Sequence, residues 1–456
     1  MMTADLITQP TSDKQRLRII LALAIPAMIE NLLQTVVGFV DTLFVSKLGL
    51  IEVTAVGIAN TLIAVYLAVY LALGTGTSAL IAKYVGAGEL GKAKAIAHQS
   101  TWISILFGLL FGIVTFFFAE PLLLLMGAEP AVIADGAIYF RIVAIPSVFI
   151  SLMTIFGSIL RASGDTKTPM KVGLWINLIH IGIDYILIFG FLFIPAMGIA
   201  GAAWATVIIR IIGSIALFLA IRKSKLSFNL WKENSKEYTK PLLTLSVPAA
   251  IERLIMRFGQ VLYFGLIVRI GTEVYAAHTI AGNIEIFSYM PGYGLAVAAT
   301  TLVGQHMGAG KPQDAYRYGI LTTAVAVVFM SLIGILLFFF SPLAATWFTA
   351  EGNVVEMVTT ALRIDAFAQP FLAISLVIAG ALQGLGDTKS PMYSTAVGMW
   401  FIRVVGVYVL CLYLGMGIAG VWLSIALDLL GRAVYLFIRF RNKFNNQQEE
   451  QIPTRN

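Results

Sequence analysis

Twelve runs of mostly apolar residues follow one another along this chain, each with the ~20 residues that a helix needs to cross a bilayer. In the first half they lie near residues 17–46, 53–82, 95–118, 134–160, 170–193 and 199–221. In the second half they lie near 241–269, 275–304, 317–341, 355–382, 392–413 and 418–438. Inside lipid every backbone N–H and C=O must be satisfied within the protein, which leaves helices or closed barrels. A transmembrane barrel would show alternating segments of ~10 residues, and none is present. The chain therefore reads as an all-α polytopic membrane protein. Several runs carry an internal proline (Pro26, Pro146, Pro248, Pro291, Pro370), which membrane helices tolerate when neighbours re-satisfy the freed carbonyls.

Composition closes the alternatives. Hydrophobic residues are 59% of the chain and charged residues 12%, against roughly 25% charged in soluble domains, which excludes a soluble globular protein and a disordered one. A single cysteine, Cys411, excludes a disulfide scaffold. The net charge of 31 − 24 = +7 would suit nucleic acid, but the cations sit in short loops between apolar runs. Residues 1–16 are polar and the first apolar run is too long for a cleavable signal peptide.

Loop charge sets the expected orientation. Lys83, Lys92 and Lys94 fall in one set of loops, followed by Arg161 and Lys167, and then by Arg222, Lys223, Lys225, Lys232, Lys236 and Lys240. Lys311, Arg317, Lys389, Arg439, Arg441 and Lys443 continue that set, while the alternate loops carry only Lys47 and Arg269. The positive-inside bias places both termini in the cytoplasm, as an even number of spans requires.

The chain also repeats itself. Pro26 and Pro248 are 222 residues apart, as are the GAG triplets at Gly86 and Gly308, the GDTK runs at Gly164 and Gly386, and Pro169 and Pro391. MGIAG at Met197 recurs at Met416 with the offset slipped to 219. Two six-helix lobes follow, residues 1–221 and 241–440, with a polar linker at 222–240 and a tail at 441–456. Six spans per lobe give both the same orientation, so a pseudo-twofold axis along the membrane normal relates them, as in parallel-repeat transporters.

The paired Leu-x-x-Pro openings (Leu23–Pro26, Leu245–Pro248), the GAG loops and the GDTK-x-P loops resemble the multidrug and toxic compound extrusion (MATE) transporters over essentially the whole chain. Within that family the run from Asn177 to Tyr185, with Asp41 in the first span, resembles the DinF branch. The NorM branch matches less well, its second-lobe acids not being found at the expected places. The resemblance implies a V-shaped, two-lobed antiporter that expels cationic or amphiphilic compounds against inward proton or sodium flow. Four residues before Asp184, where the branch usually carries Asn, this chain has His180.

An ionisable side chain within a span costs at least ~2.5–3.5 kcal/mol, so each is a functional candidate set against the bland alternative of a structural ion pair. Asp41 lies about six residues (~9 Å) before Lys47 at the outer end of its span, with no cation one turn away on its own helix. Asp184 lies about fourteen residues (~21 Å) past Met170 at the inner end of its own, so both acids reach similar depths. At the offset of 222 Asp41 becomes Tyr263, and the region equivalent to Asp184 runs from Arg403 to Gly406 without an acid. Asn177 and His180 share the helix face of Asp184, and Thr206 adds a hydroxyl from the next span. Glu30 and Glu252 stand at one offset from their prolines, which favours a structural role; Glu285 is a further second-lobe acid. Asp428 precedes Arg432 by four, a spacing that reads as a helix-surface pair.

The expected function is secondary active efflux of organic cations or amphiphiles in exchange for protons, with Asp41 and Asp184 as coupling acids. His180, replacing an oxygen donor, favours protons over the close rival, sodium. A lipid-oligosaccharide flippase is the other alternative; its cations would be Arg253, Arg257 and Arg403. No HExxH, nucleophile elbow or Cys–His arrangement points to an enzyme, and His98, His278 and His306 have no metal-ligand spacing. No cofactor, metal or nucleic-acid partner is expected. The setting is a monomer spanning the plasma (inner) membrane many times, with small-molecule drugs and the lipid bilayer as its partners.

Overall fold

The computed structural model describes residues 12–231 and 236–449; Lys232 of the loop-charge pattern, the first eleven residues and the tail beyond Glu449 lie outside the described residues. In the first half the helices are α1 (Asp13–Ser46), α2 (Leu50–Gly86), α3 (Leu90–Leu125), α4 (Pro130–Ala144), α5 (Val148–Ala162), α6 (Lys167–Phe189) and α7 (Gly198–Arg222). After a single 3-10 turn come α8 (Thr239–Ile270), α9 (Thr272–Gly308), α10 (Pro312–Thr346) and α11 (Gly352–Gly384). The eleventh run comprises α12 (Lys389–Ala396), a π-helical stretch Val397–Val404, α13 (Val405–Val407) and a second π-helical stretch Tyr408–Tyr413; α14 (Gly417–Glu449) closes the chain. Among the described residues the one β pairing is an isolated bridge between Phe191 and Ile194.

Every apolar run thus forms helix. The fourth is bent: α4 and α5 meet at 47° around Pro146, which has no N–H to donate and whose ring crowds the preceding turn. Counting that pair as one, eleven helices are long and apolar enough to cross a membrane. The twelfth, α8, has 32 residues but is interrupted by charge, Glu252, Arg253 and Arg257 lying in its middle. Outward faces carry large exposed side chains such as Phe117, Phe339 and Phe367, a surface suited to lipid chains rather than water.

The repeated loop motifs are helix stops. Gly164 and Gly386 adopt φ of 93° and 79°, and the following Asp165 and Asp387 donate their N–H groups to Leu160 and Leu382 at 3.0 and 2.9 Å. That six-to-one bond with a left-handed glycine is the Schellman closure, which satisfies a carbonyl left bare by the ending helix. Each aspartate then opens the next helix. Asp165 accepts the Thr168 N–H (2.9 Å) and hydroxyl (2.6 Å), and Asp387 accepts the Ser390 N–H (3.0 Å) and hydroxyl (2.9 Å). One four-residue motif therefore ends a helix and starts its successor in both halves.

The backbone divides into two compact units. One holds residues 29–85 and 89–250; the other holds Ile251 onward together with the leading residues through Met28 and Gly86–Gly88. Both α1 and α8 change unit, at Met28/Ile29 and Ala250/Ile251, two residues past Pro26 and Pro248. In the second unit Ile19, Ile20, Leu23 and Ala24 of α1 are buried in one core with α9, α10, α11 and α14. Arg16, only 5% exposed, fixes that segment by donating to Asp314 on α10 at 2.7 Å. Within the same unit α9 and α11 approach through small residues: a Cβ added at Gly380 would lie 2.6 Å from Ala296 O, and one at Gly384 2.5 Å from Thr300 O.

Two outcomes follow. Gly384→Ala should destabilise by about 1–3 kcal/mol, because backbone faces the new methyl and cannot step aside. The control, Gly182→Ala in α6, meets nothing within 4 Å and should melt as the wild type does. Equal melting temperatures for all three proteins in detergent would contradict the close α9–α11 contact. In the GDTK loop of the second half, burial opposes ionisation of Asp387. The Ser390 donors and the Lys443 ammonium at 3.4 Å outweigh it and hold the carboxyl below its ordinary value. Its stabilising effect is therefore present above the unfolded carboxyl value of about 3.9 and lost as pH falls through the lower folded one. Asp387→Asn should lower the melting temperature at neutral pH, and the gap from wild type should close on acidification; a gap independent of pH would refute the assignment.

Candidate functional site

In the unit built from residues 29–85 and 89–250, five helices bring polar groups together. Asp41 comes from α1, Asn60 from α2, Tyr139 from α4, His180 and Asp184 from α6, and Thr206 and Arg210 from α7. Glycine makes the closest part of this packing possible: α7 presses Gly201 against the Leu187 carbonyl near the end of α6. Asp184 is 2% exposed, and its carboxyl lies within hydrogen-bonding reach of the Asp41 carboxyl. Each acid has one buried oxygen, Oδ1, with no hydrogen-bond partner. Tyr139, also buried, directs its hydroxyl to Asn60 Oδ1 at 3.4 Å and toward Thr206. A ring trio stands beside the acids: Phe44 packs edge-on against Tyr185 and Phe189 at centroid distances of 6.0 and 5.9 Å.

The structure thus joins Asp41 and Asp184, the two expected coupling acids, in one place. It arranges the supporting residues differently from the expected cage. Asn177 makes no hydrogen bond to Asp184 among the described residues, and Thr206 Oγ1 donates to the Ala202 carbonyl of its own helix at 3.0 Å. His180 is near Asp41, and its buried Nε2 has no partner. Arg210, about three turns before the end of α7's apolar run, escaped the sequence reading. It faces Asp41, Tyr139 and Tyr70 but forms no ion pair within 4 Å among the described residues, and its Nη1 is buried without a partner. Its sequence signal was plain, a cation inside the run Thr206–Leu219; what hid it was that its neighbours lie on other helices.

Glu30 and Glu252 have structural partners. Glu30 forms a half-buried ion pair with Arg161 at 2.9 Å, and Glu252 accepts the Thr395 hydroxyl at 3.2 Å. Asp428 and Arg432 are not the surface pair that their spacing suggested. Asp428 has no exposed surface, Arg432 is buried, and Arg403 joins them with a 2.8 Å contact to Asp428 Oδ2. The π-helical stretch Val397–Val404 carries Arg403 into this triad, and Gly398 leaves room for the Asp428 carboxylate. π turns within α-helices recur at functional positions.

Glu285 belongs to a second acid pair, whose other member the sequence reading missed. Asp365 on α11 is 1% exposed and lies within hydrogen-bonding reach of Glu285 on α9. Tyr289 donates to Glu285 at 2.9 Å, and Gln369 donates to Asp365 at 2.6 Å and to Ser288 at 3.1 Å. Asp365 Oδ1 is buried without a partner. Among the described residues no group of three or more His, Cys, Asp or Glu side chains could hold a metal ion.

Comparison with known proteins agrees with this architecture. The MatE family model matches the chain twice, over residues 26–186 and 248–409, the matches starting at the prolines of α1 and α8. A probable multidrug resistance protein NorM from Thermotoga maritima is 30% identical over 426 residues, covering 92% of this chain and 91% of that one. The multidrug resistance protein PmpM from Pseudomonas aeruginosa is 28% identical, covering 93% and 91%. A MOP superfamily transporter from Pyrococcus furiosus shares the fold with a TM-score of 0.90 at 23% identity, covering 98% of each chain. A multidrug resistance MATE family transporter in its outward-facing conformation gives 0.88 at 24% identity, covering 96% of this chain and 99% of that one. With its family model matched in both halves and its twelve-helix fold shared with solved transporters, the chain belongs to the MatE family of membrane transporters and is not an enzyme.

Proposed function

We propose that this transporter is a proton-driven multidrug antiporter of the DinF-like kind, exporting cationic or amphiphilic compounds with Asp41 and Asp184 as its coupling site. The observation that carries this reading is the convergence of two acids from different helices, each with a buried oxygen that has no hydrogen-bond partner among the described residues. Ionised carboxylates only accept hydrogen bonds, so a proton taken up by either acid can serve both. Loss of that proton leaves like charges side by side in an apolar bundle, a state that an arriving organic cation relieves. Proton and drug then compete for one pair of acids, and exchange follows because each is bound only when the other has left. The exposed Tyr185 ring beside the pair suits flat apolar cations. Names among the relatives, NorM and PmpM multidrug resistance proteins, support the substrate class. The membrane is the plasma membrane, with both termini in the cytoplasm as the loop cations favour, and the protein acts as a monomer.

Sodium is the weaker rival. It wants several hard oxygens, for which Asp41, Asp184, Asn177 and Thr206 are the candidates, yet Asn177 makes no hydrogen bond to Asp184 among the described residues and Thr206 donates to its own helix. A second reading of the proton site has an observation in its favour: Glu285 and Asp365 form another acid pair, with an unpartnered oxygen, in the other unit.

Proteoliposomes loaded with a cationic dye and given an imposed proton or sodium gradient separate these readings. Wild-type protein should move dye with the proton gradient, and Asp41→Asn should abolish that movement while leaving the amount of folded protein unchanged. Retention of proton-driven transport by Asp41→Asn together with its loss in Asp365→Asn would transfer the coupling role to the second pair. Transport driven by sodium alone would remove the proton proposal.

A further inference from the structure

Of the helices corresponding to the twelve apolar runs, α8 is the one whose middle is too charged to qualify as an apolar span. Glu252 is bonded to Thr395, but Arg253 and Arg257 have no acid within 4 Å among the described residues. The bond that Arg257 makes runs from Nη1 to Gln260 Oε1, at 3.2 Å. These arginines stand about fourteen and eighteen residues past Thr239, or ~21 and ~27 Å along a helix of ~48 Å, far from either end. Four other arginines have carboxylates: Arg161 has Glu30, Arg403 and Arg432 have Asp428, and Arg16 has Asp314; Arg210, without an ion pair among the described residues, still faces Asp41. An ionisable group at membrane depth without such a partner is by default a functional candidate, facing the bundle interior or a watered path for a ligand.

Spacing puts them on one face. Arg253, Arg257 and Gln260 follow the i, i+4, i+7 rule and form one polar stripe. Of the large exposed apolar residues of the same helix, Ile251, Phe258 and Leu262 are turned away by about 100° or more, while Val261 and Phe264 flank the stripe within about 40° of Arg257. At the repeat offset of 222 the stripe becomes Asn31, Thr35 and Gly38 of α1, which are neutral, Thr35 donating to the Asn31 carbonyl at 3.1 Å. The scaffold therefore does not require cations here.

We infer that Arg253 and Arg257, with Gln260 orienting the second, form an oxyanion subsite on α8 that binds the acid group of an amphiphilic compound. Two planar guanidinium forks one turn apart match a carboxylate or phosphate, whose paired oxygens accept N–H groups in parallel. This rests on the reading of the chain as an exporter of amphiphiles and widens its substrates from cations to compounds that also carry an acid. The same chemistry occurs in a phospholipid headgroup, so the test separates the two sources.

The test is binding, without any gradient, to the purified full chain. Its probes are a rhodamine with a free carboxylate, the methyl ester of that dye, and short-chain phosphatidylglycerol. Wild-type protein should bind the free acid about tenfold more tightly than the ester, and the paired Arg253→Gln, Arg257→Gln variant should lose that preference while keeping its affinity for the ester. Arg257→Lys keeps the charge but not the fork and should retain part of the preference, which guards against a misfolded double variant. If both dyes bind alike but phosphatidylglycerol binds wild type and not the double variant, the subsite stands and its oxyanion is a headgroup. If neither the acid preference nor lipid binding depends on the two arginines, the subsite does not exist. Because no gradient is used, failure of Asp41→Asn to abolish transport would leave this result untouched, and the reverse also holds.

Discussion

A charge inside an apolar bundle persists only where an opposite charge, a set of donors or water meets it, and the ionisable groups of this chain divide on that test. Glu30 meets Arg161, and Asp428 meets Arg403 and Arg432, so these acids are answered within the protein. An acid answered in this way has little to offer a passing ion. Asp41 with Asp184, and Glu285 with Asp365, are different, for each sets acid against acid. Neither member can donate when ionised, so neither acid can answer the other's charge. Arg210 adds a positive charge near Asp41 without closing an ion pair on it, which tempers the pair's charge and leaves its oxygens available.

The repeat preserves what helix ends need and releases what lies between them. Gly164 and Gly386, with Asp165 and Asp387 after them, make the same stop and start because a left-handed glycine and a carboxylate acceptor solve the same problem of bare backbone groups. Mid-helix positions face no such demand. Their differences between the halves are therefore informative in a way that differences in the loops are not.

The same distinction explains what could be read from sequence. Twelve apolar runs and the glycine turns between them are local, and the structure has a helix for each run. Asp41 and Asp184 were legible as candidates because a lone acid in an apolar run stands out on its own helix. Their neighbour Arg210 and the partner of Glu285, Asp365, depend on which faces α1, α7, α9 and α11 present to one another, and that is a property of packing. Asp428 and Arg432 show the converse error. Four-residue spacing is identical for a surface pair and a buried one, and only Arg403, brought in by the π-helical stretch after α12, distinguishes them. Which unit the leading half of α1 joins was equally silent in its own residues, since Arg16 finds its acid on α10, nearly three hundred residues away.

Duplicated helices α1 and α8 show how far the released positions have diverged. Glu30 and Glu252 both remain, each held by a neighbour. One residue on, Asn31 becomes Arg253, and Thr35 becomes Arg257. Asp41, which meets another acid, becomes Tyr263, whose buried ring lies 5.8 Å from the Arg403 guanidinium and helps hold that charge in place. In α1 the position deeper in the helix carries the available charge and it is negative; in α8 that position serves packing, and the available charge is positive and one to three turns earlier. A scaffold used twice has thus been given an acid at one position of α1 and a pair of arginines at other positions of α8. The repeat therefore fixes where the helices bend and end, and leaves the sign and depth of the mid-helix charges free to differ between its halves.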